Sequence, residues 1–139
     1  MQKLYIAQTP ISPEINFSPS ERIFIIRGNS APEDVRAMYY PLIEWVRLFV
    51  DKVIEGEFKQ FTGEDPVDFH IDLSYFNSSS AKFLYDIILE LRRLRDAGKP
   101  VTVKWFHDEE DLDMLEAGTD ISQLAGMEFS FIAKPASER

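Results

Sequence analysis

Apolar residues at every second position predict the strands of this protein, because successive side chains of a strand point to opposite faces of a sheet. The first clear strand is Arg22–Arg27, which is followed by Gly28-Asn29, and a shorter edge strand is expected at residues 15–17. Strict alternation over residues 67–74 predicts a longer strand. Two further strands are expected from the alternating apolar residues Val101, Val103 and Trp105 and from Met127, Phe129 and Phe131.

Apolar residues three and four positions apart predict a first long helix over residues 35–53. It follows Ser30-Ala31-Pro32-Glu33, whose spacing is that of a capping box with proline in the first turn. Pro41 removes one hydrogen bond from this helix, so we expect a kink or a two-piece helix near Tyr39 and Tyr40.

Two more helices are expected further along the chain. A long one follows Asn77-Ser78-Ser79-Ser80 and ends at Gly98, since glycine commonly follows the last residue of a helix. The acidic segment Asp108–Glu116 predicts a short helix that stops at Gly118.

The predicted order of elements is therefore ββαβαβαβ, which indicates an α/β protein. Strands covered by helices on both faces are usually apolar throughout, whereas these strands alternate. We therefore expect a single mixed β-sheet with helices packed mainly on one face. The fold is expected to be one domain over residues 1–139, with an extended lead-in over 1–14 and a frayed tail over 134–139.

Composition narrows the classes of function. The chain of 139 residues is 45% hydrophobic, which is enough for a packed core, and it has no cysteine, which excludes thiolate catalysis and disulfides. A net charge of −9 argues against nucleic acid as a partner, because phosphate backbones bind clustered Lys and Arg. No apolar run reaches the ~20 residues of a membrane span, so we expect a cytoplasmic protein that does not bind membranes.

Asp68, His70 and Asp72 lie on the polar face of the predicted strand over 67–74. Imidazole and carboxylates can hold a divalent metal, so one reading is a small metal-dependent enzyme or ligand binder that uses this face and Lys104. The other reading is a solvated strand face paired with Lys104 or Glu128 of neighbouring strands. The sequence contains no glycine-rich phosphate loop and no hydrolase elbow, so we expect no enzyme, no metal and no cofactor.

The serine run after the central strand has two interpretations. A helix N-terminus accepts negative charge, so a serine there is either a helix cap or a residue whose phosphorylation changes the surface. If Asn77 is the cap, Ser78 is the first helical residue and its hydroxyl faces solvent. If Ser78 is the cap, its oxygen is already bound to a backbone N–H. Lys82 lies one turn further on and can pair with a phosphate.

Aromatic residues are denser in the first helix than one buried face requires, since Tyr39, Tyr40, Trp45 and Phe49 all fall within it. Either Pro41 rotates the apolar stripe so that all are buried, or some contact a partner protein, where Tyr and Trp are enriched. We take Tyr40 and Trp45, together with two aromatics before the serine run, as the candidate partner surface. Those two are Tyr75 and Phe76.

Two groups of residues resemble known families. The segments Ile71-Asp72-Leu73, Ser78-Ser79 and Gly98-Lys99-Pro100-Val101, together with Leu84, are similar to the STAS domains of anti-sigma-factor antagonists. A closer resemblance, from about Thr9 to Ala133, is to the SiaC family of bacterial regulatory phosphoproteins. It is carried by the segments Gly28-Asn29-Ser30-Ala31-Pro32-Glu33, Leu42-Ile43-Glu44-Trp45 and Tyr75-Phe76-Asn77-Ser78-Ser79-Ser80-Ala81-Lys82.

The resemblance to the SiaC family implies a STAS-like fold without catalytic activity. It places the phosphoacceptor at Ser78, with Asn77, Ser79, Ser80 and Lys82 as the cap and switch neighbourhood. It also implies a cognate serine/threonine kinase, a PP2C-type phosphatase and an effector, a diguanylate cyclase that the unphosphorylated form activates, in cyclic-di-GMP and biofilm regulation. The alternative function is that of a STAS-type anti-sigma-factor antagonist, which shares the switch and differs in its partner.

Overall fold

The computed structural model describes residues 1–135 and consists of one mixed six-stranded sheet and three helices. The elements are β1 (Leu4–Ile6), β2 (Glu14–Ser18), β3 (Ile23–Ser30), α1 (Val35–Ile54), β4 (Val67–Phe76), α2 (Ser78–Asp96), β5 (Val101–Asp108), α3 (Leu112–Ala125) and β6 (Ser130–Lys134).

The strands lie in the sheet in the order in which they occur in the chain. The pairs β1–β2 and β2–β3 are antiparallel, whereas β3–β4, β4–β5 and β5–β6 are parallel. Each parallel pair is joined through a helix. Because such crossovers are right-handed and always step to the next strand in the same direction, they place all three helices on one face of the sheet.

Burial along β4 agrees with this arrangement and confirms the predicted one-sided α/β sheet. Val67, Phe69, Ile71 and Leu73 are buried beneath the helices, and the alternate polar residues are half-buried or exposed. The parallel strands and the sequential order also bring the N-termini of the three helices to one edge of the sheet, the edge where β3, β4 and β5 end. That edge holds the serine run.

The start of the first helix differs from the prediction. Asp34 is the N-cap of α1 and accepts a hydrogen bond from the N–H of Ala37 at 3.1 Å, so Ser30 and Glu33 do not form a capping box. Ser30 is instead the last residue of β3 and is fully buried. Of the expected kink or two-piece helix at Pro41, the two-piece helix is wrong, since α1 runs unbroken through this residue.

Other elements also differ from their predicted bounds or positions. Strand β3 continues through Gly28, which has a φ of +121° and marks a register shift against β4, so the strand does not end there. The expected edge strand is β2, and it is not at the edge because β1, within the lead-in, pairs with it. Helix α3 begins at Leu112, since Asp108 is the last residue of β5, and it runs past Gly118 to Ala125. The last strand begins at Ser130.

The N-terminal end of the chain was expected to be an extended lead-in and the C-terminal end a frayed tail. The lead-in over residues 1–14 contains β1 and the first residue of β2. Of the tail over 134–139, Lys134 belongs to β6, and residues 136–139 lie outside the described part of the chain.

Gly118 lies in the interior of α3 because the helix packs on Trp105. A Cβ at this position would lie 2.5 Å from Cε2 of the indole, a distance at which the two would overlap. Trp105 is fully buried, and its Nε1 donates to the carbonyl of Met114 at 3.0 Å. Glycine here permits close packing, and Gly126, with a φ of +64°, ends the helix instead.

None of the helices within residues 1–135 is long and apolar enough to cross a membrane.

Candidate functional site

The serine run forms the first turn of α2. Asn77 is its N-cap, with an extended backbone and a side-chain oxygen that accepts a hydrogen bond from the N–H of Ser80 at 2.9 Å. Ser78 is therefore the first helical residue, which is the first of the two arrangements considered for the run. The turn is also tied to the sheet, since the N–H of Asn77 donates to the carbonyl of Ser30 at 3.0 Å.

The three serines have different surroundings. Ser78 and Ser79 are exposed, and within residues 1–135 neither hydroxyl makes a side-chain hydrogen bond. Ser80 is fully buried. An enzyme acting on the folded protein therefore has access to the first two hydroxyls and not to the third.

A chain of buried hydroxyl groups lies directly under this turn. Ser30 Oγ donates to Ser80 Oγ at 2.9 Å, and Ser80 Oγ donates to the carbonyl of Ser30 at 3.0 Å. The hydroxyl of Tyr39 lies 2.6 Å from Ser30 Oγ and is left as the donor of that bond, because the proton of Ser30 is already used. Burial raises the pKa of Tyr39, and hydrogen bonding to Ser30 and Ser80 offsets part of that effect.

Lys82 lies one turn beyond Ser78 on the same helix face. Its ammonium pairs with Asp86 at 2.8 Å and lies 5.0 Å from the centre of the Phe83 ring. The Lys82 side chain is 69% exposed, so it can move to form an ion pair with a different anion. The first turn of α2 carries no acidic residue, which leaves the positive end of the helix dipole uncompensated by side chains there.

The four aromatic residues of the candidate partner surface divide into two pairs. Tyr75 and Tyr40 are 54% and 52% exposed, and the ring of Tyr40 packs edge-on against Phe83 at 5.7 Å, close to the first turns of α2. Phe76 is half-buried and packs edge-on against Trp105 at 5.9 Å. Of these four residues, only Tyr40 and Tyr75 are more than half exposed.

Trp45 has other neighbours. It is half-buried, it stacks on Phe49 at 5.4 Å, and its Nε1 donates to the carbonyl of Gln2 at 2.9 Å. The structure therefore brings Trp45 together with the core and the N-terminal segment and does not bring it to the serine run. The aromatic residues of α1 are neither all buried nor all available to a partner. Tyr39 and Phe49 are buried, and Tyr40 is exposed.

The polar sheet face is a network of ion pairs. Asp68 accepts hydrogen bonds from Lys104 at 2.9 Å and from Thr102 at 2.8 Å, and it lies 2.8 Å from His70 Nε2. Asp72 pairs with Lys134 at 2.7 Å. The pairing of Asp68 with Lys104 matches the reading of this face as a solvated strand surface.

Burial raises the pKa of Asp68, but the hydrogen bonds from His70, Lys104 and Thr102 outweigh it, so the pKa lies below the usual value. Within residues 1–135 no group of three His, Cys, Asp or Glu side chains is arranged to hold a metal ion. The depression beside Asp68 and His70 measures about 210 Å³, is open to solvent and has Arg22 on its wall. These features give no support to the metal-dependent alternative.

Ser30 and Tyr39 are members of the site that the sequence did not reveal. They lie 50 and 41 positions before Ser80, and each has an ordinary local explanation, as a helix cap and as a core aromatic. The only signal in the sequence was a buried position for Tyr39 in the apolar stripe of α1. A hydroxyl on that stripe needs a buried partner, and Ser30 and Ser80 provide it.

Comparison with known proteins gives one consistent result. A model described as SiaC family regulatory phosphoprotein matches residues 6–134. An uncharacterized protein of Pseudomonas aeruginosa (strain UCBPP-PA14) is 25% identical over 133 residues, which are 96% of this chain and 98% of the relative.

Solved structures share the fold over almost the whole chain. The crystal structure of apo-SiaC from Pseudomonas aeruginosa superposes with a TM-score of 0.77 at 25% identity and covers 96% of this chain and 99% of its own. The crystal structure of the diguanylate cyclase SiaD in complex with its activator SiaC, from the same species, gives a TM-score of 0.79 at 24% identity and covers 94% and 99%. Because the family model spans nearly the full length and the fold agrees, the chain belongs to the SiaC family of regulatory phosphoproteins.

Proposed function

We propose that this protein is a non-catalytic binding module whose partner is a diguanylate cyclase and whose binding is gated by phosphorylation of Ser78. In the unphosphorylated form it binds and activates the cyclase. Membership of a family of regulatory phosphoproteins supports the mode of action, and the solved complex of a related SiaC with the cyclase that it activates supports the kind of partner.

The observation that carries the choice of residue is the position of Ser78 at the first turn of α2. Asn77 occupies the capping role, so the Ser78 hydroxyl is exposed and does not take part in holding the helix. Ser80 is buried and fully engaged. Ser79 is exposed too, and the resemblance of residues 75–82 to the family's motif favours Ser78 over it.

The physical effect of phosphorylation is a change of surface charge with little change of fold. A phosphate on Ser78 adds about −1.5 to −2 charge at a helix N-terminus, where the dipole and the exposed backbone N–H groups stabilise anions. Lys82, four residues further along the helix, can pair with it. A cyclase docked over Tyr40 and Tyr75 would have to remove water from this dianion, and that desolvation cost weakens binding.

The same proposal requires a kinase and a phosphatase that act in the compartment where the cyclase is active, which we take to be the cytoplasm. We assign these roles to a cognate serine/threonine kinase and a PP2C-type phosphatase. Both must recognise the folded edge of the sheet that carries the three helix N-termini, since the first turn of α2 is tied to β3 by backbone and side-chain hydrogen bonds.

The test uses a diguanylate cyclase from the same host and four forms of the protein: unmodified, Ser78→Ala, Ser79→Ala, and a form with phosphoserine installed at position 78 by genetic encoding. Titration calorimetry and cyclase turnover are measured for each. We expect tight binding and activation by the first three and a loss of at least tenfold in affinity for the phosphoserine form.

The kinase arm identifies the acceptor. Incubation with the proposed cognate kinase is expected to add one phosphate to the unmodified protein and to Ser79→Ala, and none to Ser78→Ala, as read by intact mass. Equal cyclase affinity of the phosphoserine and unmodified forms would overturn the gating, and phosphate transfer to Ser78→Ala would move the acceptor to another residue. Binding to an anti-sigma kinase in place of the cyclase would favour the antagonist alternative.

A further inference from the structure

We propose that Ser30, Tyr39 and Ser80 are positioning residues that hold the first turn of α2 in one geometry, so that the oxygen of Ser78 and any phosphate on it has a fixed orientation at the helix N-terminus. This inference rests on the proposed role of Ser78 and adds to it the residues that hold the switch.

Two hydrogen bonds of this site share one acceptor. The carbonyl oxygen of Ser30 accepts both the N–H of Asn77 at 3.0 Å and the hydroxyl of Ser80 at 3.0 Å, so it binds the residues on either side of Ser78 and Ser79. The Asn77 side chain closes the same turn from within by accepting the Ser80 N–H at 2.9 Å. The exposed pair of serines is therefore held at both ends by buried groups.

The hydroxyl chain extends this hold to α1. Tyr39 donates to Ser30 Oγ, and this hydrogen bond joins α1 to the end of β3. The ring of Tyr39 also stacks on Phe83 at 5.6 Å, and this contact joins α1 to the second turn of α2. All three hydroxyl residues are fully buried. Each proton of the chain has one acceptor, which leaves no free hydroxyl rotor beneath the turn.

A purely structural role explains this network poorly. Burying three hydroxyls costs desolvation, and apolar side chains of the same shape would stabilise the site about as well. Helices α1 and α3 begin at the same edge with a single aspartate cap each, Asp34 and Asp111. Among the three helices of residues 1–135, only α2, which carries the exposed serines, has this hydroxyl chain beneath its N-terminus.

The test measures the orientation of the phosphate and needs neither kinase nor cyclase. Phosphoserine is installed at position 78 in the otherwise unchanged protein and in Ser80→Ala, Tyr39→Phe and Ser18→Ala. Ser18 is the matched control, because its hydroxyl is also buried and donates to a carboxylate, that of Glu21 at 3.1 Å, on a different part of the sheet. Phosphorus NMR follows the second ionisation of the phosphate, and hydrogen exchange follows the amides of residues 79–81.

In the unchanged protein and in Ser18→Ala we expect the phosphate to ionise at lower pH than in a free peptide of residues 74–82, because the ordered N–H groups stabilise the dianion. In Ser80→Ala and Tyr39→Phe the ionisation should move toward the peptide value. Amide exchange at residues 79–81 should be about tenfold faster, as expected for the loss of one buried hydrogen bond.

Unchanged ionisation and exchange in both variants, at a reduced melting temperature, would show that the network only stabilises the fold and would overturn the proposal. If Ser80→Ala does not fold, Tyr39→Phe decides alone, because it removes a single oxygen and keeps the ring. Since the phosphate is installed and not transferred, these results stand even if the cyclase proves indifferent to phosphorylation, and the two proposals fail separately.

Discussion

The side-chain oxygen of Asn77 and the backbone N–H of Ser80 form a 2.9 Å hydrogen bond that closes the first turn of α2 around two exposed serines. Because the cap is supplied by Asn77, the hydroxyl of Ser78 has no part in starting the helix. Capping and the proposed phosphorylation thus fall on neighbouring residues, and a change at Ser78 leaves the cap in place.

Removing this cap should cost stability. Asn77→Ala leaves the Ser80 N–H without its acceptor, and we expect a loss of about 1 kcal/mol in the free energy of unfolding, measured by urea denaturation. Asp34→Ala, which removes the corresponding cap of α1, is the matched control and should cost a similar amount. Cyclase affinity should fall in Asn77→Ala and stay unchanged in Asp34→Ala. Equal effects of the two variants on cyclase affinity would contradict this prediction, because they would show that the cap of α2 has no special role in binding the cyclase.

Lys82 should change its partner when Ser78 is phosphorylated. Its bond to Asp86 is exposed and weak, whereas a dianion at the helix N-terminus attracts it more strongly. We expect a double-mutant cycle between phosphoserine 78 and Lys82→Met to give a favourable coupling of about 0.5 kcal/mol in urea denaturation, and a larger one in the Asp86→Asn background. Lys59→Met, on the loop after α1, is the control, and a coupling of the same size there would rule out a specific pairing.

The sequence predicted five of the six strands of the described residues, the three helices and the burial of one face of the sheet, because these depend on the local spacing of apolar residues, and it missed β1 in the lead-in. It also located the serine run at a helix N-terminus, where an asparagine followed by serines is a local signal. It failed at the start of α1, where Ser30 and Asp34 are both favourable N-cap residues only four positions apart. Only the burial of Ser30 beneath α2 decides that Asp34 is the cap.

The remaining errors have tertiary causes. Gly118 has the appearance of a helix stop, and only the position of Trp105 on another element explains why a glycine lies inside α3. The hydroxyl chain joins residues from three elements, so no window of sequence contains it. A run of serines also does not reveal that the third hydroxyl points inward while the first two remain exposed.

Gly118→Ala should destabilise the protein although alanine favours helices. The added methyl would lie 2.5 Å from two atoms of an indole that is fully buried and bonded to Met114, so the tryptophan cannot move away freely. We expect a loss on the order of 1–3 kcal/mol in the free energy of unfolding and a change in tryptophan fluorescence. Gly63→Ala, where a Cβ would meet nothing within 4 Å, is the control and should leave both unchanged. A neutral Gly118→Ala would mean that α3 can shift away from the sheet.

The pH dependence of stability should depend in part on Asp68. Its pKa is lowered in the folded protein, where burial opposes the shift and the bonds from His70, Lys104 and Thr102 outweigh it. The folded state therefore holds this proton less tightly than the unfolded state does. The resulting contribution to stability is complete above the unfolded pKa of about 3.9 and is lost as the pH falls through the folded pKa.

Asp68→Asn should consequently lower the free energy of unfolding by about 1 kcal/mol at pH 7, because Lys104 loses its anionic partner on the half-buried sheet face. The difference from the unchanged protein should shrink as the pH falls below the unfolded pKa of about 3.9, where the unfolded state begins to bind the proton, and toward the lower folded pKa. Thermal unfolding at a series of pH values measures both effects. Glu116→Gln, a change at an exposed carboxylate of α3, should give a curve parallel to that of the unchanged protein. A deficit in Asp68→Asn that stays constant down to pH 3 would show that the aspartate acts through its shape and hydrogen bonds and not through its charge.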